Sequence, residues 1–298
     1  MTSQRSETRE SALAPGGSAQ LGGRVVARIG FGVMQLESRP VERDDALGLL
    51  RNAISQGINH IDTAQFYGDC NELIRAALAP YPRSLVLVTK VGADRDPDGK
   101  LVPAQRPAEL RAQVEANLAS LGTEQVGVVN LRRLDAPPGL IAEGEQKVDL
   151  DSQLAELIAL RAAGKIGAIG LSNVSAGQIA QAQAAGIACV QNSFSLLDRR
   201  AEPALDACRE RGIAWVPYFP LGSAFPSRPK VTDNPVVTAI AADLAVTPAQ
   251  VGLAWLLAHY GKTLLIPGTT SPAHLDENIA SGGVRLTAQQ LSALDQLA

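Results

Sequence analysis

At four places a glycine separates an amphipathic segment from the β-rich run that follows: Gln56-Gly57, Ala163-Gly164, Ala185-Gly186 and Arg211-Gly212. Glycine accepts the left-handed backbone in which helices commonly stop, so this is the punctuation of repeated βα units. Short β-rich runs alternate with helical patterns from Arg28 onward. The predicted strands are Ile29–Gln35, Ile58–Ile61, Ser84–Val91, Val126–Arg132, Ile166–Leu171, Ile187–Gln191, Ile213–Pro217 and Leu264–Pro267. Between them, Asp44–Gln56 places Ala46, Leu49, Leu50, Ala53 and Ile54 on one helical stripe, and Pro107–Leu121, Asp151–Ala163 and Ala249–His259 share its period. Capping-box spacing marks helix starts at Ser175/Gln178, Thr247/Gln250 and Thr287/Gln290.

Eight strands, each followed by a helix, predict an α/β fold: a (β/α)8 TIM barrel with a parallel eight-stranded sheet. A doubly wound open sheet is the alternative. Against it, the first strand reads GFGVMQL, which lacks the third glycine and the helix start of a dinucleotide fingerprint. No composition break marks a second domain, so residues 21–298 are expected to form one domain. The polar start, 1–20, has no apolar segment of a secretory signal and is expected to be a disordered tail.

Charge excludes some partners. A net charge of −3 and a pI near 5.7 give no electrostatic footprint for nucleic acid or an anionic membrane. No apolar run reaches the roughly 18 residues of a membrane span. Cys70, Cys189 and Cys208 are far apart and form no CxxC pair, which suits a cytoplasmic protein without disulfides or structural zinc. The histidines His60, His259 and His274 are equally scattered, with no HxH or HExxH, so no metal site is expected.

In a parallel barrel the C-terminal strand ends share one rim, and active sites lie there. Asp62, Lys90, Arg132, Asn173, Gln191 and Tyr218 all fall at such ends. Six polar or ionisable side chains at equivalent positions mark the mouth as a site. His60 is expected to be structural. Lys90 is costly to bury unless paired, and Asp62 on the neighbouring strand is its natural partner. A cation beside a phenol favours the phenolate, so Tyr67 beside Lys90 reads as a tuned general acid. An Asp–Lys ion pair with a packing tyrosine accounts for the same spacing. With no GxSxG elbow or Walker motif present, a hydride has to come from a bound cofactor.

The stretch INHIDTAQFYG, Ile58–Gly68, resembles the Asp-Thr-Ala-x-x-Tyr-Gly signature of the aldo-keto reductases, NAD(P)H-dependent (β/α)8 enzymes. GFGVMQL before it, and VTKVG, IGLSNVS, VQNSFS, VPYFPLGS and IPGTTSPAHLDEN after it, stand in the family's order, so the resemblance runs from about Leu21 to the C-terminus. It implies that Asp62, Tyr67 and Lys90 are catalytic, with Tyr67 as proton donor. Ser172, Asn173 and Gln191 match residues that hold the nicotinamide carboxamide, and Tyr218 matches the aromatic on which that ring stacks. Leu221 and Ser223 fall in the pyrophosphate loop, with Phe219, Pro220 and Gly222 counted among the cofactor residues of the same stretch. Gly32 and Met34 are placed near the nicotinamide ribose, and Asp62 is counted among the cofactor residues as well as the catalytic ones.

Two departures stand out. The family's fourth catalytic residue is usually a histidine; here VVNLRRLD puts Arg132 in its place. Arginine stays charged and offers a fixed fork of donors, so Arg132 is expected to orient and polarise the carbonyl and to favour substrates with an acceptor or anion beside it. A branch of bacterial reductases similar to this chain carries the same Asn-Leu-Arg and includes pyridoxal reductases. Pyridoxal fits because its aldehyde neighbours a ring oxygen that is readily a phenolate.

Second, the lysine and arginine that many relatives aim at the adenosine 2′-phosphate are replaced by Gly268 and His274. What remains is GTTSP opening a helix, an anion site in which Thr269, Thr270, Ser271 and His274 are donors. Glu277 and Asn278 match adenine-contacting positions. NADPH is the expected cofactor and NADH the alternative. Arg228 and Lys230, in the Pro- and Ser-rich loop Leu221–Pro235, either touch phosphates or are solvated. The loop Arg133–Val148 is expected to line the substrate pocket.

The resulting expectation is a carbonyl reductase for a small aldehyde or ketone, a monomer or weak homo-oligomer. A nucleotide-binding redox sensor with little turnover, and a barrel isomerase or lyase without nicotinamide, are the competing classes.

Overall fold

Val86, Val88 and Lys90 alternate along one strand, as do His60 and Asp62 on its neighbour, and all are buried. A period of two turns one set of side chains to a single face. That face is the inside of a barrel. The computed structural model describes residues 14–38, 41–136, 139–222 and 229–297.

An antiparallel hairpin comes first, β1 (Ser18–Leu21) and β2 (Arg24–Ala27). Then follow β3 (Phe31–Gly32), β4 (His60–Asp62) and β5 (Val86–Val91). A second antiparallel hairpin, β6 (Ala93–Arg95) and β7 (Leu101–Pro103), stands on the mouth. Strands β8 (Val126–Arg132), β9 (Ile166–Ser172), β10 (Ile187–Gln191) and β11 (Ala214–Trp215) complete the set. Seven of them form a parallel sheet in the order β11-β10-β9-β8-β5-β4-β3.

Closure is made by the segment at 263–265. It bridges Trp215 on one side and Ile29 on the other, so the eighth position is filled by isolated bridges. Leu264 N–H donates to the Trp215 carbonyl at 2.8 Å and Leu265 N–H to that of Arg28 at 2.8 Å. The Arg28 guanidinium reinforces the junction, donating to the carbonyls of Leu257 (2.7 Å), Tyr260 (2.9 Å) and Thr263 (3.1 Å). The sheet thus closes into the expected (β/α)8 barrel.

Val86, Val88, Val128, Ala168, Cys189, Ala214, Val216 and Leu264 fill the interior, with Leu21 and Val26 of the first hairpin packed among them. Gly22, at the hairpin turn (φ 57°), sits so close that a Cβ there would lie 2.9 Å from Cβ of Ala168. The hairpin therefore plugs the N-terminal end. A second apolar shell joins the outer strand faces to the helices, among them Arg43–Ser55, Pro107–Leu121, Leu150–Ala162 and Pro248–His259. All three anticipated capping boxes form. Gly57, Gly164, Gly186 and Gly212 all take positive φ.

Several boundaries differ from the sequence reading; the second strand runs His60–Asp62 and the third begins at Val86. Residues 18–20, placed in the tail, belong to β1, while residues 1–13 lie outside the described set. The first barrel strand ends at Gly32: Val33 N–H makes a last bond to the Asp62 carbonyl (3.0 Å) and the chain then coils into the helix Met34–Ser38. The seventh strand shortens to Ala214–Trp215, and Leu264–Pro267 carries bridges in place of a ladder. Among the described residues, no single helix is long and apolar enough to cross a membrane.

Candidate active site

Asp62 and Lys90 end up side by side because β4 and β5 pair in parallel with Asp62 beside Val88, one inward step below Lys90. Both are buried. Lys90 Nζ donates to Asp62 Oδ1 and, at 3.0 Å, to the carbonyl of Thr63. Burial alone lowers the lysine pKa, but the Asp62 charge and then Tyr67 oppose it, leaving Lys90 above its ordinary value. Lys90 therefore stays cationic in the barrel. Its Nζ lies 5.0 Å from the centroid of the Tyr67 ring, so the three residues expected to act together are together.

The loop carrying Tyr67 is fixed from below. Thr63 Oγ1 donates to Asn71 (2.8 Å), Asn71 donates to Asn117 (3.1 Å) and Ser120 (2.9 Å), and Thr89 donates to Asn117 (2.6 Å). This buried polar chain locks the first turn after β4 to β5 and the helix Pro107–Leu121. Hydrogen-bonded polar groups of this kind rigidify a site, since breaking any one leaves a partner unsatisfied.

Gln191, at the end of β10 and fully buried, donates from Nε2 to Asp62 Oδ2 at 2.8 Å. Both Asp62 oxygens are thus occupied. Gln191 Oε1 is buried without a partner among the described residues. A buried, unsatisfied amide oxygen suits a ligand N–H, such as that of a carboxamide. Ser172 pairs with Gln191 across β9 and β10 and is buried.

Arg132 is half-buried at the end of β8, its guanidinium carbon 5.9 Å from the centroid of the Phe66 ring. Among the described residues, that guanidinium makes no hydrogen bond or ion pair. Arg133 next door behaves oppositely. It is buried, and it ties the loop that follows by donating to the carbonyl of Val148 (2.9 Å), to Gln153, and twice to Asp135 (2.8 and 2.7 Å). The loop 133–148 is therefore pinned at its base beside the mouth; residues 137 and 138 lie outside the described set.

Asn173 adopts φ 58° and spends its side-chain N–H groups on the carbonyls of Arg133 and Ala136, both at 3.1 Å. Tyr218 bridges Ser193, its N–H donates to the Asn192 carbonyl at 3.0 Å, and its ring meets Phe219 edge-on at 5.1 Å. Phe219, Pro220, Leu221 and Gly222 continue this edge, half-buried, and Val231 N–H donates to the Leu221 carbonyl at 3.1 Å. Ser223 and Arg228 lie outside the described residues; Lys230 is exposed.

The remaining expected cofactor residues cluster at the closing segment. Gly32 and Gly268 press backbone to backbone: a Cβ on Gly268 would stand 2.4 Å from the Gly32 carbonyl oxygen. Packing thus demands both glycines whatever binds nearby. Thr269 is buried and its Oγ1 accepts from Ser271 N–H (3.0 Å); Ser271 caps the helix Pro272–Ala280, with His274 N–H donating to its Oγ at 3.4 Å. Thr270 is half-buried and His274 exposed. Glu277 offers its carbonyl to Gln250 (3.1 Å), and Asn278 is buried. Met34, expected to end a strand, is exposed on the helix after β3.

No group of three or more His, Cys, Asp or Glu suited to a metal occurs among the described residues. His60 is fully buried, with burial lowering its pKa to about 4, and its ring fills the space that Gly30 leaves. The three thiols are buried, and burial pushes Cys70 and Cys208 up to about 12 and Cys189 higher still. None is a ready nucleophile.

Three features escaped the sequence reading: Phe66 beneath Arg132, the Gln191–Asp62 bond, and the hairpin β6–β7. Only the hairpin had a signal, the turn Asp96-Pro97-Asp98-Gly99 between two β-rich ends. Arg95 on that hairpin pairs with Glu37 and donates to the Phe66 carbonyl at 2.9 Å, strapping the Tyr67 loop.

A sequence model described as the Aldo/keto reductase family matches residues 28–298. The chain is 42% identical over 283 residues to pyridoxine 4-dehydrogenase of Escherichia coli (strain K12), covering 92% of this chain and 96% of that one. It is 32% identical to a probable aldo-keto reductase 1 of Glycine max, covering 89% and 84% of the two. Among solved structures, an aldo/keto reductase from Klebsiella pneumoniae in complex with NADP and acetate superposes with a TM-score of 0.79 at 25% identity, covering 94% of each chain.

Proposed function

The chain belongs to the aldo/keto reductase family, and we propose that Tyr67 is the proton donor with which this NADP-linked carbonyl reductase completes the reduction of an aldehyde. The observation that carries the proposal is the buried Lys90 ammonium, held by Asp62 and lying 5.0 Å from the Tyr67 ring. Bound NADPH supplies the hydride.

As charge develops on the carbonyl oxygen, Tyr67 gives it a proton, and the neighbouring cation favours the phenolate left behind. Asp62 and the Thr63 carbonyl keep Lys90 in place. Gln191, whose Oε1 has no partner among the described residues, and Ser172 hold the nicotinamide end, and Tyr218 provides the ring face against it. The N–H groups opening the helix Pro272–Ala280, with Thr269, Thr270, Ser271 and His274, take the adenosine phosphate.

Arg132 selects the substrate. A guanidinium braced on an aromatic ring and lacking an anionic partner among the described residues suits a carbonyl flanked by an oxyanion. Pyridoxal has that arrangement, and the Escherichia coli relative is named for the corresponding alcohol.

The test follows NADPH absorbance with purified protein, pyridoxal and benzaldehyde. Support requires NADPH oxidation that is faster with pyridoxal and is lost in Tyr67→Phe while NADPH still binds. Equal rates with the two aldehydes would remove the substrate assignment, and an active Tyr67→Phe would remove the acid.

A further inference from the structure

A carboxylate only accepts hydrogen bonds, so the Asp62 contact dictates which way the Gln191 amide faces. Its nitrogen must lie at Asp62 Oδ2, 2.8 Å away, and its oxygen must lie on the other side. That oxygen is the buried atom with no partner among the described residues. Neighbouring backbone holds the residue: Asn173 N–H donates to the Gln191 carbonyl at 3.0 Å, and Val190 pairs with Trp215. Gln191 therefore has one amide face fixed by the acid-tuning pair and the other buried and unpartnered among the described residues.

We propose that Gln191 couples the two halves of the site. It presents an acceptor to the nicotinamide carboxamide only while its donor is engaged by Asp62, so cofactor binding and the Asp62–Lys90–Tyr67 arrangement stabilise each other. The proposal rests on the NADPH reading above. The coupling is reciprocal by thermodynamic necessity. Toward Asp62, Gln191 is a positioning residue: by neutralising part of that carboxylate it sets how much of the Lys90 charge is felt at Tyr67. If Asp62 becomes Asn, the new amide can donate to Gln191 Oε1, the glutamine is free to turn over, and its acceptor is consumed.

A double-mutant cycle on NADPH affinity, read by the fluorescence of the bound dinucleotide without any substrate, tests this. Gln191→Met is expected to weaken NADPH about tenfold in the wild-type background, the scale of one lost buried hydrogen bond. In the Asp62→Asn background the same change is expected to cost about twofold or less, since the contact is already lost. Gln191→Asn, which keeps the amide on a stem one methylene shorter, is the second variant and is expected to behave like Gln191→Met.

The pH profile of pyridoxal reduction gives an independent reading. Without the Gln191 donor, Asp62 offsets more of the Lys90 charge, so the alkaline limb of kcat moves to higher pH. Additive losses in the cycle, an unchanged Kd in both Gln191 variants, or a lowered rate with an unmoved limb would each overturn the coupling while leaving the NADPH-dependent reductase in place. A wild-type protein that binds no NADPH would overturn the functional reading and this inference with it.

Discussion

Arg132 rests its guanidinium over Phe66, 5.9 Å from carbon to ring centroid, and Phe66 in turn meets Tyr67 edge-on at 5.0 Å. The cation and the phenol are thus spaced by one aromatic ring.

Arg132→Ala is expected to lower kcat/KM for pyridoxal relative to benzaldehyde by roughly 10- to 100-fold, the range of a charge-assisted hydrogen bond. Arg132→Lys keeps the charge without the fork and is expected to recover only part of that ratio. Steady-state kinetics on the two aldehydes decides it; an unchanged ratio rejects Arg132 as the selecting residue.

Lys90→Met strands the buried Asp62 carboxylate, and removal of one partner from such a pair costs about 3–5 kcal/mol. Urea unfolding is expected to show the loss in Lys90→Met and a partial recovery in Lys90→Met/Asp62→Leu. Because the folded pKa of Lys90 lies above its ordinary 10.5, the pair's contribution is whole below that pH and falls only as pH rises through the higher folded value. Stability from this pair is therefore flat from pH 6 to 10 on the scale of Lys90 titration.

His60 titrates the other way. Its pKa falls from 6.5 to about 4 in the fold, so the unfolded chain binds the extra proton between those values. Stability is lost as pH drops from about 6.5 toward 4, by on the order of 3 kcal/mol for a shift of this size. His60→Gln is expected to flatten the unfolding free energy against pH across that window; an identical slope in the variant would assign the loss to carboxylates.

Gly268→Ala forces a methyl group against the Gly32 carbonyl, 2.4 Å away. Overpacking of this kind costs about 1–3 kcal/mol and is expected to lower Tm by several degrees. NADPH affinity is expected to fall as well, because the adjoining loop Thr269–Ser271 must shift. A variant with wild-type Tm and Kd would show that the seam yields more easily than its geometry implies.

How far the sequence carries depends on whether a feature is local. Helix caps and stops are written in adjacent residues, so the box Thr247/Gln250 and the stop at Gly212 appear where expected. The long central strands β8 and β10 match their predicted limits because both are buried on both faces. Strand ends at the seam do not, since pairing there is decided by distant partners: Ile29 with Leu265, Gly32 with Asp62. At the site, Asp62, Lys90 and Tyr67 were legible from motif and strand end. The bond from Gln191 to Asp62 crosses 129 positions of chain, and no local pattern encodes it.

The barrel behaves as a hoop with a clasp. Everywhere except at residues 263–265 its staves are laced by ladders; there, isolated bridges and the Arg28 guanidinium do the fastening. The loop that runs on from the clasp, Gly268–Ser271, is the one proposed above to take the adenosine phosphate. A nucleotide seated there would act as a locking pin: amide exchange at Gly30, Leu264 and Leu265 is expected to be the fastest of the barrel in the empty protein and to slow most when NADPH is bound.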